Sequence, residues 1–502
     1  MTRSRALAVL AACGLVAAAW FGLSRDMEWL GPRPGADPIS AAADSVDADD
    51  EASVLVEGIT EDAVELEDAD GGDVEASEAE SDDGDIPDSQ AAEIATDFGV
   101  DDNTIRIGLS ADQSGGLAGL VQPMIDAQIA YFDRVNENGG IGGREIEVVV
   151  LDSALDVPTQ LDNYAELAEQ SAEGVVLISH STGFAPTSAI TDELANDDLI
   201  AVPLSWNSSW SAGSSGARVF ELHTNYCIEA MNGVEFLAQQ SSVAVPTIAI
   251  LTLDGEYGRD AAAGAKIAAQ ALGLELVFDG EAQIIGGGED LSAITRQLVA
   301  ADPDIVWIAS GAEELAQILN GSASQGLDAL WSGNLPSYHP ALLSTDARDS
   351  LESFYFPSAY TALWGTNDSA GMRNVIAELP ERLAGGTYAD ADAYILGWTQ
   401  AVFSETVLRH AAENGDLTRA GIAAAANEVT VDFQGLAPTQ SWSGAPNESV
   451  VRGSYLYRID AAAATLDTAI TESGSAGYVL LEENFVGEVA ASHEFAEPCN
   501  FG

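Results

Sequence analysis

Two short clusters of hydroxyl and amide side chains stand out along this chain. His180-Ser181-Thr182-Gly183 follows the apolar run Val175–Ser179, and Ser205-Trp206-Asn207-Ser208-Ser209 follows the apolar run Leu199–Leu204. Between them lies a helical pattern, Pro186–Leu194. Serine and threonine hydroxyls, with the backbone N–H groups that open a helix, suit the binding of an anionic or polar group. The same hydroxyls also suit the plainer task of capping the helix. A serine beside a histidine can suggest a nucleophile and its base. Adjacent strand residues point to opposite faces, however, so His180 and Ser181 make a poor pair. The chain carries no G-x-S-x-G, no Walker loop, no H-E-x-x-H and no complete G-x-G-x-x-G. It has five histidines, none in H-x-x-x-H spacing. No metal site, no cofactor and no catalysis are expected.

Apolar run, polar loop, helix, apolar run and polar loop together read as a βαβ unit of a parallel sheet. Open sheets of this kind bind ligands beyond the carboxyl ends of their strands, where both clusters would lie. The alternation extends over most of the chain. Thr104–Leu109 is a strand leading into Ser110–Gly116, and Val121–Asn138 is an amphipathic helix stopped by Gly139-Gly140. Glu145–Asp152 is a second strand and Thr159–Ser171 a second helix. The fold class is α/β, two Rossmann-like lobes with a ligand cleft between them.

With 502 residues, 81 acidic against 18 basic and a net charge of -63, the chain repels phosphate backbones, and nucleic acid is excluded as a partner. Residues 1–30 hold a signal peptide or membrane anchor. Arg3 and Arg5 precede the apolar run Ala6–Leu23, which contains Cys13. Leu10-Ala11-Ala12-Cys13 resembles a lipobox, which would make Cys13 a lipid anchor; the long run beyond it suits an uncleaved signal anchor. Both place the rest outside the cytoplasm. No Lys or Arg lies between Arg33 and Arg106, and residues 31–100 read as an acidic, disordered tether, with folding from about Asn103. Outside the cytoplasm, Cys227 and Cys499 are free to pair as a disulfide that pins the C-terminal tail.

The order IRIGLSADQSGGLAG, NENGGIGGREIEVVVLDS and GVVLISHSTG resembles the type I periplasmic binding proteins, in the leucine/isoleucine/valine- and amide-binding branch of ABC-transporter receptors. Asp254-Gly255-Glu256-Tyr257-Gly258, Ala301–Ile305, Ala389–Ala412 and Phe433-Gln434-Gly435 extend the resemblance over residues 103–460. It implies lobe one at 103–222 plus 360–432, lobe two at 223–354 plus 440–500, and three crossings near His223–Tyr226, Phe356–Tyr360 and Phe433–Pro438. The ligand residues it implies are Ser181, Thr182, Ser205, Trp206, Asn207, Ser208 and Tyr257, with Tyr338 and Tyr360 as weaker aromatic candidates. One position departs from the pattern: where amino-acid binders of the family carry a carboxylate for the ammonium, this chain has Asn334. Glu313 or Asp254 would have to substitute, or the ligand is an amide, a urea-like compound, a carboxylate or an aromatic acid. The expected function is capture of a small polar solute for a membrane ABC permease by a monomeric receptor. The alternative is a ligand-sensing ectodomain of the same fold with no transport role.

Overall fold

The computed structural model describes residues 94–211, 218–286, 290–382, 388–464 and 475–500. The leader with Cys13, and the acidic segment up to residue 93, lie outside the described residues. The first part of the chain gives β1 (Ala95–Thr96), β2 (Thr104–Ala111), α1 (Ala118–Glu137), β3 (Glu145–Asp152), α2 (Val157–Leu167), β4 (Ile178–Thr182), α3 (Phe184–Ser188), α4 (Thr191–Asn196) and β5 (Ala201–Leu204). The middle gives α5 (Tyr226–Gln240), β6 (Ile248–Leu253), α6 (Glu256–Leu272), β7 (Leu276–Ile284), α7 (Ser292–Ala301), β8 (Ile305–Ala309), α8 (Ala312–Ser324), β9 (Leu330–Gly333), α9 (Arg348–Phe354) and β10 (Tyr355–Ala359). The last part gives α10 (Ala370–Arg382), α11 (Tyr388–Glu413), β11 (Asp416–Leu417), α12 (Arg419–Glu428), β12 (Thr430–Val431), β13 (Gln440–Ser441), α13 (Pro446–Ser449), β14 (Ser454–Ile459), β15 (Tyr478–Phe485) and α14 (Glu488–Ser492).

Two sheets organise two lobes. The first is parallel, in the order β3-β2-β4-β5. The second runs β15-β14-β10-β9-β8-β6-β7. Its β7 to β10 portion is parallel, while β14 and β15 are antiparallel additions. Central strands β4, β6 and β8 are buried along their whole length, as expected where helices cover both faces of a sheet. In each sheet the strand order reverses once, between β2 and β4 and between β6 and β8. Loops at such reversals frame the crevice in which open α/β sheets bind ligands.

Helix packing closes the lobes. In lobe one, α11 lies along α1. A Cβ on Gly397 would fall 2.3 Å from the Met124 carbonyl, so the glycine permits this approach. Tyr131 meets Trp398 edge-on with centroids 4.8 Å apart. In lobe two, α5 starts at Asn225, whose side chain accepts from the Ile228 N–H at 2.9 Å. Cys227 in its first turn is joined by a disulfide to Cys499.

Two local expectations change. Residues 94–100, grouped by composition with the acidic tether, belong to the fold: β1 pairs with β11, Val100 is buried, and Phe98 lies under the Arg419 guanidinium at 5.1 Å. A few apolar residues at the end of an acidic run suffice to dock it. The helical pattern Pro186–Leu194 is not one helix. It is divided between α3 and α4, with Ile190 as the N-cap of the second.

Candidate functional site

The loop after β2 is shaped by two aspartates. Asp112 accepts from the N–H groups of Gly115 and Leu117 at 2.5 and 2.7 Å, and Asp152 accepts from those of Gln113 and Ala154, both at 2.9 Å. Desolvation pushes the Asp152 carboxyl up, but its bonds from the Ser114 side chain and backbone, Ala154 and Gln113 outweigh this and hold it below its ordinary range. Across the strand-order reversal, the Asp112 N–H donates to Thr182 Oγ1 at 3.0 Å. Ser181 Oγ lies 2.7 Å from Thr187 Oγ1 and accepts from Gln160 Nε2 at 3.2 Å. His180 turns the other way, with Nδ1 2.9 Å from Gln400 Oε1 and Nε2 2.8 Å from Thr182 Oγ1. Burial pushes its imidazole down to about 4, so it is neutral near pH 7. The Ser181 and Thr182 hydroxyls are thus engaged inside lobe one, and α3, which they precede, is only five residues long.

The second cluster reaches across to lobe two. Asn207 Nδ2 donates to Glu256 Oε2 at 2.9 Å, and the Ser208 N–H donates to Asp260 Oδ2 at 3.0 Å. Ser208 Oγ also donates to Asp260 and accepts from the Cys499 N–H at 2.8 Å. Ser205 Oγ accepts from Trp210 Nε1 at 3.3 Å. Glu256 and Asp260 stand one helical turn apart on α6. Burial pushes Glu256 up to about 8 and Asp260 up to about 7, against hydrogen bonds from Asn207 and Ser208 that favour the carboxylates.

Four aromatic rings from both lobes meet beside this contact. Trp206 stacks at a tilt on Tyr360 with centroids 4.5 Å apart, and Tyr226 packs on Tyr257 at 4.7 Å. Tyr226 also meets Trp206 and Tyr360 edge-on. The Tyr257 hydroxyl lies 3.3 Å from Ser337 Oγ, at the reversal of the second sheet. Tyr338 lies elsewhere, stacked on Tyr355.

Asn334, fully buried, donates from Nδ2 to Glu229 Oε2 at 2.5 Å and to the Tyr226 carbonyl at 3.2 Å; its Oδ1 has no partner. Glu229 also accepts from the Leu335 N–H at 3.1 Å and from Ser358 Oγ. Burial raises its carboxyl to about 7. The neutral amide at 334 is therefore backed by a carboxylate from α5. Asp254, considered for that task, instead pairs with Arg259 at 2.8 Å, with both side chains half exposed.

Glu229, Glu256 and Asp260 were not legible as buried partners of these clusters, because on a helix a lone carboxylate reads as a solvated charge. The available signals were the Asn225 cap four residues before Glu229 and the D-G-E-Y-G turn holding Glu256. Two cavities, of about 550 and 250 Å³, lie beside the β12–β13 turn and contain none of the eight ligand candidates. Among the described residues no group of His, Cys, Asp and Glu is placed to hold a metal ion, and no helix is long and apolar enough to cross a membrane.

A family model described as periplasmic binding protein matches residues 104–464. The chain belongs to that family. As a periplasmic binding protein it is 24% identical over 236 residues to the leucine-, isoleucine-, valine-, threonine- and alanine-binding protein of Pseudomonas aeruginosa, spanning 46% of this chain and 60% of that one. It is 29% identical over 196 residues to the chemotactic signal transduction system substrate-binding protein BasB of Halobacterium salinarum, spanning 38% of this chain and 45% of that one. Each alignment thus covers less than two thirds of the relative. Among solved structures, a fatty acid ABC transporter substrate-binding protein from Thermomonospora curvata superposes with a TM-score of 0.68 at 25% identity, covering 80% of this chain and 97% of the other. A branched chain amino acid ABC transporter protein from Thermus thermophilus, with bound valine, gives 0.65 at 16% identity over 78% and 98%. The latter likeness is one of fold.

Proposed function

We propose that this periplasmic binding protein is the extracytoplasmic substrate-binding component of an ABC importer, and that it captures a small polar solute by lobe closure. The observation that carries this reading is the meeting of the β5 loop with the start of α6, through Asn207–Glu256 and Ser208–Asp260, beside the rings of Trp206, Tyr226, Tyr257 and Tyr360. Elements from two sheets form one polar and aromatic contact that separates when the lobes part. The lobes are residues 103–222 with 360–432 and 223–354 with 440–500, and residues 1–30 tether the receptor to the membrane through a lipid or signal anchor. Binding shifts the open–closed equilibrium by the solute's preference for the closed form.

The chemistry of the contact narrows the solute. Glu229, Glu256 and Asp260 meet amides and hydroxyls, and Asn334 Oδ1 is a buried acceptor without a partner. A solute that brings N–H donors, such as an amino acid, an amide or a urea-like compound, matches these acceptors better than a simple carboxylate. The test is calorimetric titration of the full chain with amino acids, amides, ureas and short carboxylates. Saturable binding of a nitrogen-bearing class, weakened by Asn334→Leu, is expected. Binding confined to plain carboxylates contradicts the reading. The relative BasB favours a second reading, in which the loaded receptor signals rather than feeds a permease. Uptake of the bound solute by cells, lost when the receptor is deleted, supports the importer; intact uptake with lost taxis supports the sensor.

A further inference from the structure

The smaller cavity, about 250 Å³, is lined by Trp210, Phe220, Glu221, Gln440 and Trp442 among others. It lies below the ~300–1,000 Å³ usual for drug-sized ligands, so a small metabolite is the right scale. The polar atoms of its walls are mostly spoken for. Trp442 Nε1 and Gln440 Nε2 each donate to the Glu221 carbonyl at 3.0 Å, and Gln440 Oε1 accepts from the His223 N–H at 2.9 Å. Trp210 Nε1 donates to Ser205 Oγ at 3.3 Å. With both indole N–H groups committed inside the protein, the tryptophans offer the cavity only ring surface. Phe220, edge-on to Trp442 with centroids 5.9 Å apart, adds a third ring.

Glu221 supplies the acidic group, which a bound cation would hold ionised. Its side chain is buried, Oε2 accepts from Ser211 Oγ, and Oε1 has no partner. No Lys or Arg is among the described residues that line the cavity. Burial, reinforced by the nearby Asp260 and Glu256, pushes the carboxyl well above its ordinary range, which is the state of an acid without its counter-charge. A carboxyl with a free oxygen among three aromatic rings suits a cation that is large, weakly hydrated and able to rest on π faces. Among the described lining residues the side-chain oxygens other than those of Glu221 are neutral hydroxyls and amides, of Ser211, Asn427, Gln440 and Ser449, a poor set for a metal ion.

We propose that the cavity bounded by Trp210, Phe220, Glu221 and Trp442 is a binding site for a small alkylated ammonium ion, separate from the interlobe contact. Nothing in this assignment depends on the importer reading. Because Glu221 lies two residues before the first crossing and Gln440 two residues after the third, the bound cation braces the two connections against each other.

The test uses the full chain, with tetramethylammonium chloride as probe and sodium chloride at equal ionic strength as control, read by tryptophan fluorescence and thermal shift. Saturable quenching and stabilisation by tetramethylammonium alone are expected. Glu221→Gln and Trp442→Leu should each weaken the affinity by about tenfold, and Trp442→Phe should retain most of it. The retained ring in Trp442→Phe keeps the test decisive should Glu221→Gln not fold. Equal responses to the two salts, or undiminished affinity in Glu221→Gln or Trp442→Leu, overturn the proposal.

Discussion

At the scale of single residues, the buried acids set an unusual pH response. Asp260 titrates near 3.8 when solvated and near 7 in the fold, because burial outweighs its bonds from Ser208 and the Cys227 N–H. The native state therefore prefers the protonated form. The stability this preference supplies is complete below the solvated value and is lost as pH rises through about 7. Denaturant unfolding across that window should show wild type losing ground to Asp260→Asn as pH increases. A gap that does not change with pH would contradict the assignment. Arg419 makes a different case. Its guanidinium is buried and donates to the carbonyls of Val175, Ala168 and Glu169 at 2.9, 3.0 and 3.1 Å. Arg419→Leu should orphan these acceptors and cost on the order of 3 kcal/mol in an unfolding titration. None of this was visible in the sequence, where a charged residue in a helix reads as exposed. The polar clusters at Ser181, Thr182 and 205–208 were visible as clusters because hydroxyls and amides gather where an apolar run stops. Their bonding partners were not, since those lie tens to hundreds of residues away.

At the scale of elements, close approach depends on missing side chains. Gly233 on α5 faces Trp307 of β8 so closely that a Cβ would sit 1.9 Å from the indole ring. Gly233→Ala should force the helix off the sheet and cost about 1–3 kcal/mol in stability. Most strands and helices were legible from hydrophobic period and glycine stops. The β2–α1–β3–α2 series follows the sequence within a few residues at each end. The division of Pro186–Leu194 into α3 and α4 escaped because periodicity over nine residues does not show where backbone hydrogen bonding lapses. The start of the fold was placed late because the acidic composition of the preceding segment masked Phe98 and Val100. The Cys227–Cys499 disulfide ties the first turn of α5 to the tail, beside Ser208 and Asp260. Its reduction should lower stability by about 2–4 kcal/mol, measured as the difference between melts with and without reductant; Cys499→Ser should abolish that difference.

At the scale of the whole molecule, the two-lobe architecture was legible because the alternation of apolar runs and helical patterns repeats in two blocks, and because loop motifs occur in a recognisable order over residues 103–460. The family model covers nearly the same span, 104–464. The acidic interior of the interlobe contact was not legible, because it arises only when the loop after β5 meets the start of α6. That contact carries the functional account. The measurement that tests it most directly is a thermal-shift series on the full chain against amino acids, amides, ureas and short carboxylates. The account predicts that one nitrogen-bearing class stabilises the protein, by roughly 2.7 kcal/mol at a hundred times its Kd, and that Asn334→Leu and Glu256→Gln shrink the effect. A folded protein that no solute class stabilises would contradict it.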